Sequence, residues 1–214
     1  MSDILLHGYW RSSAAYRVRI ALHLKGIEYR QVSHDLRAGE QQAAEYRAIA
    51  PHGLVPALQS GDAVLIESPA ILEWMEERWP APPLFPADPN DRALVRAMAA
   101  IIGCDVHPLN NLRVLNALRS DFAADKDQVK AWAQRWIAAG FTALEQMVER
   151  HGGRYAFGDE PGMADVYIVP QIYNARRFSA DLTPFPHLVG AGDRAAHLPA
   201  FQAAHPDRQP DASH

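Results

Sequence analysis

The chain predicts a mixed α/β N-terminal domain followed by an all-α C-terminal domain, and three observations predict it. A short apolar strand, Ile4-Leu5-Leu6, gives way through Arg11-Ser12-Ser13 to an amphipathic helix over residues 13–25. Five prolines then fall within the eleven residues from Trp79 to Pro89, a density that fits no regular helix or central strand. Beyond them apolar residues recur at helical spacing. The partition is residues 1–81 as the first domain, 82–89 as a proline-rich linker and 90–214 as the helical domain.

The elements follow in order. Tyr29-Arg30-Gln31-Val32 reads as a second strand, and Pro56–Gln59 and Ala63–Ile66 flank Ser60-Gly61-Asp62 as a hairpin. Ser68 has the character of an N-cap, with Pro69 at the first helical position and apolar residues at 71, 72 and 75. A long helix from Asp91 to about Ser120 is expected to kink at Pro108. Further helices are expected over 127–150, 163–178 and around 191–204, and the polar end from His205 is expected to fray. Val55-Pro56 precedes a strand, and the sequence leaves its cis or trans state open.

Composition excludes several functions. With 214 residues, 48% hydrophobic and a formal charge of −4, the chain suffices for two modest cores in a soluble protein. Lys and Arg are dispersed, which gives no nucleic-acid footprint, and no apolar run approaches the roughly 20 residues that cross a bilayer. One cysteine excludes an intrachain disulfide, and Met1-Ser2-Asp3 followed by a brief apolar run lacks the features of a secretory signal, so a cytoplasmic protein is expected. Ten histidines invite a metal, yet none has metal-ligand spacing, and no metal is expected.

The chemistry starts at Ser12 and Ser13. Two hydroxyls at a strand-to-helix turn sit beside unpaired amides and the positive end of a helix dipole, a setting that favours an anion such as a thiolate. The competing reading is that both serines merely cap the helix. The strand-turn-helix opening resembles a thioredoxin-type fold, whose turn would carry Cys-x-x-Cys; here it reads Ser-Ser-Ala-Ala, and the lone Cys104 lies far along the chain. Any reactive sulfur must therefore arrive with a ligand. Arg17 and Arg19 leave their helix on different sides, His107 and Asn111 are one turn apart on one face of the kinked helix, and Asp165 reads as a folding residue that complements a helix dipole.

A family resemblance covers nearly the whole chain. Arg11-Ser12-Ser13, Arg17-Val18-Arg19-Ile20-Ala21-Leu22, Leu54-Val55-Pro56-Ala57-Leu58, Glu67-Ser68-Pro69-Ala70-Ile71, Phe157-Gly158-Asp159, Met163-Ala164-Asp165, Val169-Pro170-Gln171 and Asp181-Leu182-Thr183-Pro184 stand in order and at spacing that resemble a zeta-class glutathione transferase. Within that class the chain is similar to the maleylacetoacetate and maleylpyruvate isomerases. The resemblance implies the glutathione transferase fold, a thioredoxin-like glutathione domain followed by a helical substrate domain, as a homodimer. It implies cis-trans isomerisation of maleylacetoacetate to fumarylacetoacetate by thiolate addition, rotation and elimination, with glutathione used but not consumed. Maleylpyruvate isomerisation is an alternative. So is a general transferase acting on electrophiles or α-halo acids, or a glutathione-fold module without catalysis.

The resemblance also implies roles. Ser12 is matched to the thiolate, and Ser13, Val55, Glu67, Ser68, His107 and Asn111 to glutathione binding. Two substrate carboxylates call for guanidinium forks. Arg11 beside Ser12 is the first candidate, and Arg177 is selected over Arg176 by the Ala-x-Arg-Phe pattern. Arg113 is the third, with solvent or an acidic neighbour as its competing partner. Ala14 stands where many members have cysteine, which argues against chemistry through a protein-glutathione disulfide. Leu54 replaces a glutamine of the usual glutathione contacts, and Gly162 replaces the usual Ser or Thr, a cap change worth a few tenths of a kcal/mol.

Overall fold

The computed structural model describes residues 3–212, and these divide into two units, 1–84 with 197–214 and 85–196, the outermost residues at each end lying outside the description. In the first unit, β1 (Ile4–Gly8), α1 (Ser13–Leu24) and β2 (Arg30–Ser33) form a parallel strand-helix-strand unit. After α2 (Ala44–Ile49) come β3 (Ala57–Ser60), β4 (Ala63–Ile66) and α3 (Ser68–Arg78). The sheet order is β2-β1-β3-β4, with β3 antiparallel to both β1 and β4. Ser60 pairs with Ala63 across the expected hairpin turn. β1 is a central strand and reads accordingly as an apolar run, with Leu6 fully buried. Gly8 ends β1 because the backbone there closes on α1; a Cβ would stand 3.3 Å from the Cβ of Ala15.

Helix α1 is buried along ten of its twelve residues, two of them arginines. Arg17 donates to the Ser68 hydroxyl (3.3 Å), whereas Arg19 donates to Trp10 O (2.9 Å), Ala204 O (3.0 Å) and Tyr9 O (3.5 Å). The two do point to different partners. Buried Lys25 just beyond α1 meets Glu76 at 2.7 Å and donates to Trp79 O and Pro82 O, while the Glu76 carboxylate accepts from Leu84 N. This buried charge pair ties most of the proline-rich stretch to the first unit, through Leu84. Phe85, under the Arg92 and Arg96 guanidinium groups, opens the second unit. A separate linker over 82–89 is therefore not a feature of the fold.

The C-terminal end also departs from expectation. The helix anticipated around 191–204 is two helices, α8 (Pro186–Ala196) and α9 (Pro199–Ala204), with the break at Leu198-Pro199, because proline cannot continue the ladder of the preceding turn. α9 packs on α1 in the first unit, so the helical second unit ends at Ala196 rather than running through the C-terminus. Fraying from His205 does not occur through Ala212: Gln209 is buried and donates to Ala203 O and His205 O, and Asp211 accepts from Trp10 N and Gln31.

The second unit is helical: α4 (Pro89–Ala100), α5 (Leu112–Phe122), α6 (Lys126–His151), α7 (Met163–Arg177) and α8. A capping box between Asp125 and Gln128 starts α6, and α7 is almost wholly buried. The anticipated single kinked helix over 91–120 is interrupted more deeply than by a kink. A π-helical turn, Ile101–Val106, is followed by a 3-10 turn, His107–Asn110, and then by extended Asn111. Pro108 lacks an N–H for the helical ladder, and α6 presses on this segment at Gly140, where a Cβ would run into Val106.

Candidate functional site

In the first unit the turn Tyr9–Ser12 leads from β1 into α1. Ser12 is the N-cap: it has extended backbone, its Oγ accepts from Ala15 N (3.2 Å), and its own amide donates to Tyr9 O (3.0 Å). Capping and chemistry are not alternatives here. A hydroxyl that accepts an N–H keeps its own proton to donate, and the accepted bond polarises that O–H. Ser13 is buried at the first helical position, and the amides of Ser13 and Ala14 lie outside the intrahelical ladder. Half-buried Arg11 places its guanidinium over the Trp10 ring, 5.3 Å from the centroid.

Val55 is half-buried and joined to Pro56 by a cis peptide. Its loop is fixed by Tyr46, whose hydroxyl donates to Leu54 O at 2.6 Å, and Tyr46 packs with Ala50 and Ala57 against Val55 and Ile66. Burial pushes the Tyr46 phenol well above its ordinary value, so it remains a donor. Beyond β4, Glu67 occupies the left-handed region at φ 67°, exposes its carboxylate, and stands 3.6 Å from His52 Nε2. The expected cap at Ser68 is displaced by one residue. Glu67 is the N-cap and its carbonyl accepts from Ile71 N, because the buried Ser68 hydroxyl already accepts from Arg17.

In the second unit the structure corrects the pairing of His107 with Asn111. His107 is on the 3-10 turn, while Asn111 has left it and spends its Oδ1 on Arg113 N as the cap of α5, so the two do not share an α-helical face. The residue missed by sequence reasoning is Asn110. It is buried, with neither side-chain amide atom hydrogen-bonded within the protein, which is the usual mark of a polar group awaiting water or ligand. The adjacent asparagines carried no signal to separate them; only the change of backbone from 3-10 to extended does. Arg113 is exposed in the first turn of α5. Arg176 pairs with Asp193 at 2.7 Å; Arg177, its neighbour on the last turn of α7, is exposed.

Asp165 behaves as a folding residue. Its buried carboxylate accepts from Ala156 N and Gly162 N, both at 3.0 Å, which repairs the helix start that Gly162 cannot cap with a side chain. Burial raises its pKa to about 6 against the opposing pull of those amides. Among the described residues no group of three metal-ligating side chains assembles, and no helix is long and apolar enough to cross a membrane. Cys104 is a free, exposed thiol.

Comparison with known proteins bears on this arrangement. Residues 11–78 match the glutathione S-transferase N-terminal domain family. A maleylpyruvate isomerase of a Ralstonia species is 48% identical, covering 97% of this chain and 99% of the relative. A holo maleylpyruvate isomerase structure, described as a bacterial zeta-class glutathione S-transferase, superposes with a TM-score of 0.96 at 47% identity, over 98% of this chain and all of the other. The chain belongs to the zeta-class glutathione transferases. A maleylacetoacetate isomerase structure from Anaeromyxobacter dehalogenans is a further relative, with TM-score 0.88 and 45% identity, over 98% of this chain and 94% of the other. That structure carries dicarboxyethyl glutathione and citrate in its active site. As the family requires, the first unit is thioredoxin-like without a redox dithiol, and glutathione is the family's cofactor.

Proposed function

We propose that this protein catalyses the glutathione-dependent cis-trans isomerisation of maleylacetoacetate to fumarylacetoacetate, with maleylpyruvate as the alternative substrate. The observation that carries the reading is Ser12, whose hydroxyl is fixed by an N–H from Ala15 while its proton stays available to a thiolate. The residues present suit the tripeptide. Ser13 and Ala14 offer amides at the α1 start, the Val55 backbone lies in the bend before β3, Glu67 exposes a carboxylate for an ammonium group, and Ser68 stands at the start of α3. His107 and Asn111 are assigned to the same ligand, Asn111 through the NH2 of an amide whose oxygen caps α5, and Asn110, with neither amide atom hydrogen-bonded within the protein, is a further polar group for it.

When bound, glutathione supplies a thiolate that adds to the cis double bond, permits rotation and departs. The protein's part is to keep the sulfur charged and to hold the substrate's two carboxylates. An ordinary thiol of pKa about 8.5 is a few per cent ionised at neutral pH, and each unit of depression corresponds to about 1.4 kcal/mol of preferential stabilisation. Ser12 O–H donation and the positive end of α1 supply that preference. Arg11 and Arg177 are assigned to the carboxylates, since their planar forks suit such groups, with Arg113 the weaker third. The dicarboxyethyl glutathione and citrate bound by the Anaeromyxobacter relative support a dicarboxylate substrate. A homodimer and a reducing, cytoplasmic setting complete the reading; light scattering that finds only monomer would remove the first.

The test is loss of the conjugated absorbance of maleylacetone, with and without glutathione, for wild type and Ser12→Ala, with chromatography of product and thiol. Trans product formed only with glutathione, no net thiol loss and a slower variant are expected. Stoichiometric glutathione adduct instead would make the protein a conjugating transferase, and absence of glutathione binding would leave a non-catalytic module.

A further inference from the structure

The turn that delivers Ser12 is held by the far end of the chain. Asp211, 201 residues from Trp10, accepts the Trp10 amide on Oδ2 (2.9 Å) and the Gln31 side-chain amide on Oδ1 (3.0 Å). The other pole of the same residue, Trp10 O, accepts from Arg19 at 2.9 Å, and Arg19 is fully buried. Arg19 also reaches Tyr9 O, which receives the Ser12 amide, and Ala204 O on α9. Both backbone polar groups of Trp10 therefore end on oppositely charged side chains, one from α1 and one from the C-terminal segment. Trp10 is only two residues before Ser12.

We propose that Asp211 is a positioning residue for the reaction: it clamps the Trp10 peptide, and through it holds the Ser12 hydroxyl in the orientation that meets the glutathione sulfur. This rests on the assignment of Ser12 above. Asp211 acts through the Trp10 peptide, since its two oxygens are taken by Trp10 N and the Gln31 amide. The Ser12 hydroxyl is itself tethered by Ala15 N, so its direction follows the turn. A turn freed on one side retains the hydroxyl but loses its aim, and small misplacements cost rate disproportionately. The chemistry of the clamp also supplies a conservative replacement. Asparagine at 211 retains an oxygen for Trp10 N, and its NH2 can be met by Gln31 Oε1, which is buried and without a hydrogen-bond partner within the protein, once the Gln31 amide turns over.

The experiment measures kcat, KM for glutathione, and the ultraviolet absorbance of enzyme-bound thiolate against pH in the full-length protein. Asp211→Ala is expected to lower kcat by about tenfold, to shift the bound thiol's titration upward by about half a unit or more, and to leave KM within about twofold. Asp211→Asn is expected to restore both kcat and the titration. A purely structural role for Asp211 would lower the thermal midpoint and leave the thiol titration and kcat of the folded fraction at wild-type values; that result overturns the proposal. Equal damage in Asp211→Ala and Asp211→Asn overturns it too. Should Asp211→Ala fail to fold, Gln31→Ala, which releases the carboxylate without touching the turn, must shift the titration in the same direction. Ser12→Ala is run alongside: if it leaves the thiol titration unchanged the Ser12 assignment fails, whereas a shift with Ser12→Ala and none with Asp211→Ala fails the clamp alone.

Discussion

Ser12 carries two jobs that substitution can separate. Removing the hydroxyl in Ser12→Ala strips Ala15 N of its cap and the sulfur of its donor together, at a stability cost of about 1 kcal/mol. Ser12→Asp keeps a cap oxygen and adds favourable charge at the helix start, so its stability should stay within about 0.5 kcal/mol of wild type. Its carboxylate cannot donate and repels a thiolate, so turnover should collapse despite the intact fold. Chemical denaturation beside turnover decides the matter, and a Ser12→Asp enzyme that remains active would show the hydroxyl to be only a cap. Adjacent arginines allow a similar separation. Arg176→Ala breaks an exposed pair with Asp193 and should change stability by less than about 1 kcal/mol with little effect on turnover. Arg177→Ala should raise KM for the dicarboxylate while leaving the glutathione KM near wild type, a split read by steady-state kinetics. If Arg176→Ala carries the loss instead, the two assignments exchange.

Helix α7 shows how one carboxyl replaces a missing cap and leaves a pH signature. Asp165→Ala would strand the amides of buried Ala156 and half-buried Gly162, a loss of about 3 kcal/mol. The folded carboxyl titrates at about 6 and the free one at 3.8, so between these values the native chain holds a proton that the unfolded chain has released. Raising pH through that window therefore lowers the stability contributed by Asp165, on the order of 3 kcal/mol in all, with no further change above it. Urea unfolding of wild type and Asp165→Asn at several pH values isolates the slope, because other groups cancel in the difference; a flat difference from pH 4 to 7 would refute it. The start of this helix was legible in Met163-Ala164-Asp165, as were α1, the hairpin and α6, because each is specified by neighbours in sequence. What escaped has a common cause. α2 is six residues long with only Tyr46 buried, the π and 3-10 turns follow from α6 pressing on Val106, and Asn110 differs from Asn111 only in backbone. The Ser12 turn was likewise visible, but its partners Arg19 and Asp211 come from opposite ends of the chain.

The first unit is discontinuous: its sheet and α1 to α3 come from the residues up to Leu84, and α9, which packs on α1, comes from the residues after Ala196. Proline density marked the end of the N-terminal run, yet nothing local could reveal that residues after Ala196 return, since the return depends on contacts almost two hundred residues apart. That closure has an energetic consequence. Phe201 is fully buried, Ala204 O accepts from Arg19, and Phe201 O accepts from the buried Tyr16 hydroxyl. Without α9, α1 would face solvent with apolar side chains, and a guanidinium fixed for an interior acceptor would lose it. Phe201→Ala leaves the backbone acceptors in place and removes only the packed ring, so it should cost about 3–5 kcal/mol. Shortening the chain to residues 1–196 removes the ring, both acceptors and Asp211, and should abolish glutathione binding although no proposed ligand contact has been deleted. Urea unfolding followed with glutathione affinity measures both. A 1–196 chain that bound glutathione at wild-type strength would mean that the N-terminal sheet and helices hold the Ser12 turn unaided, and that Arg19 and Asp211 merely accompany a structure already formed.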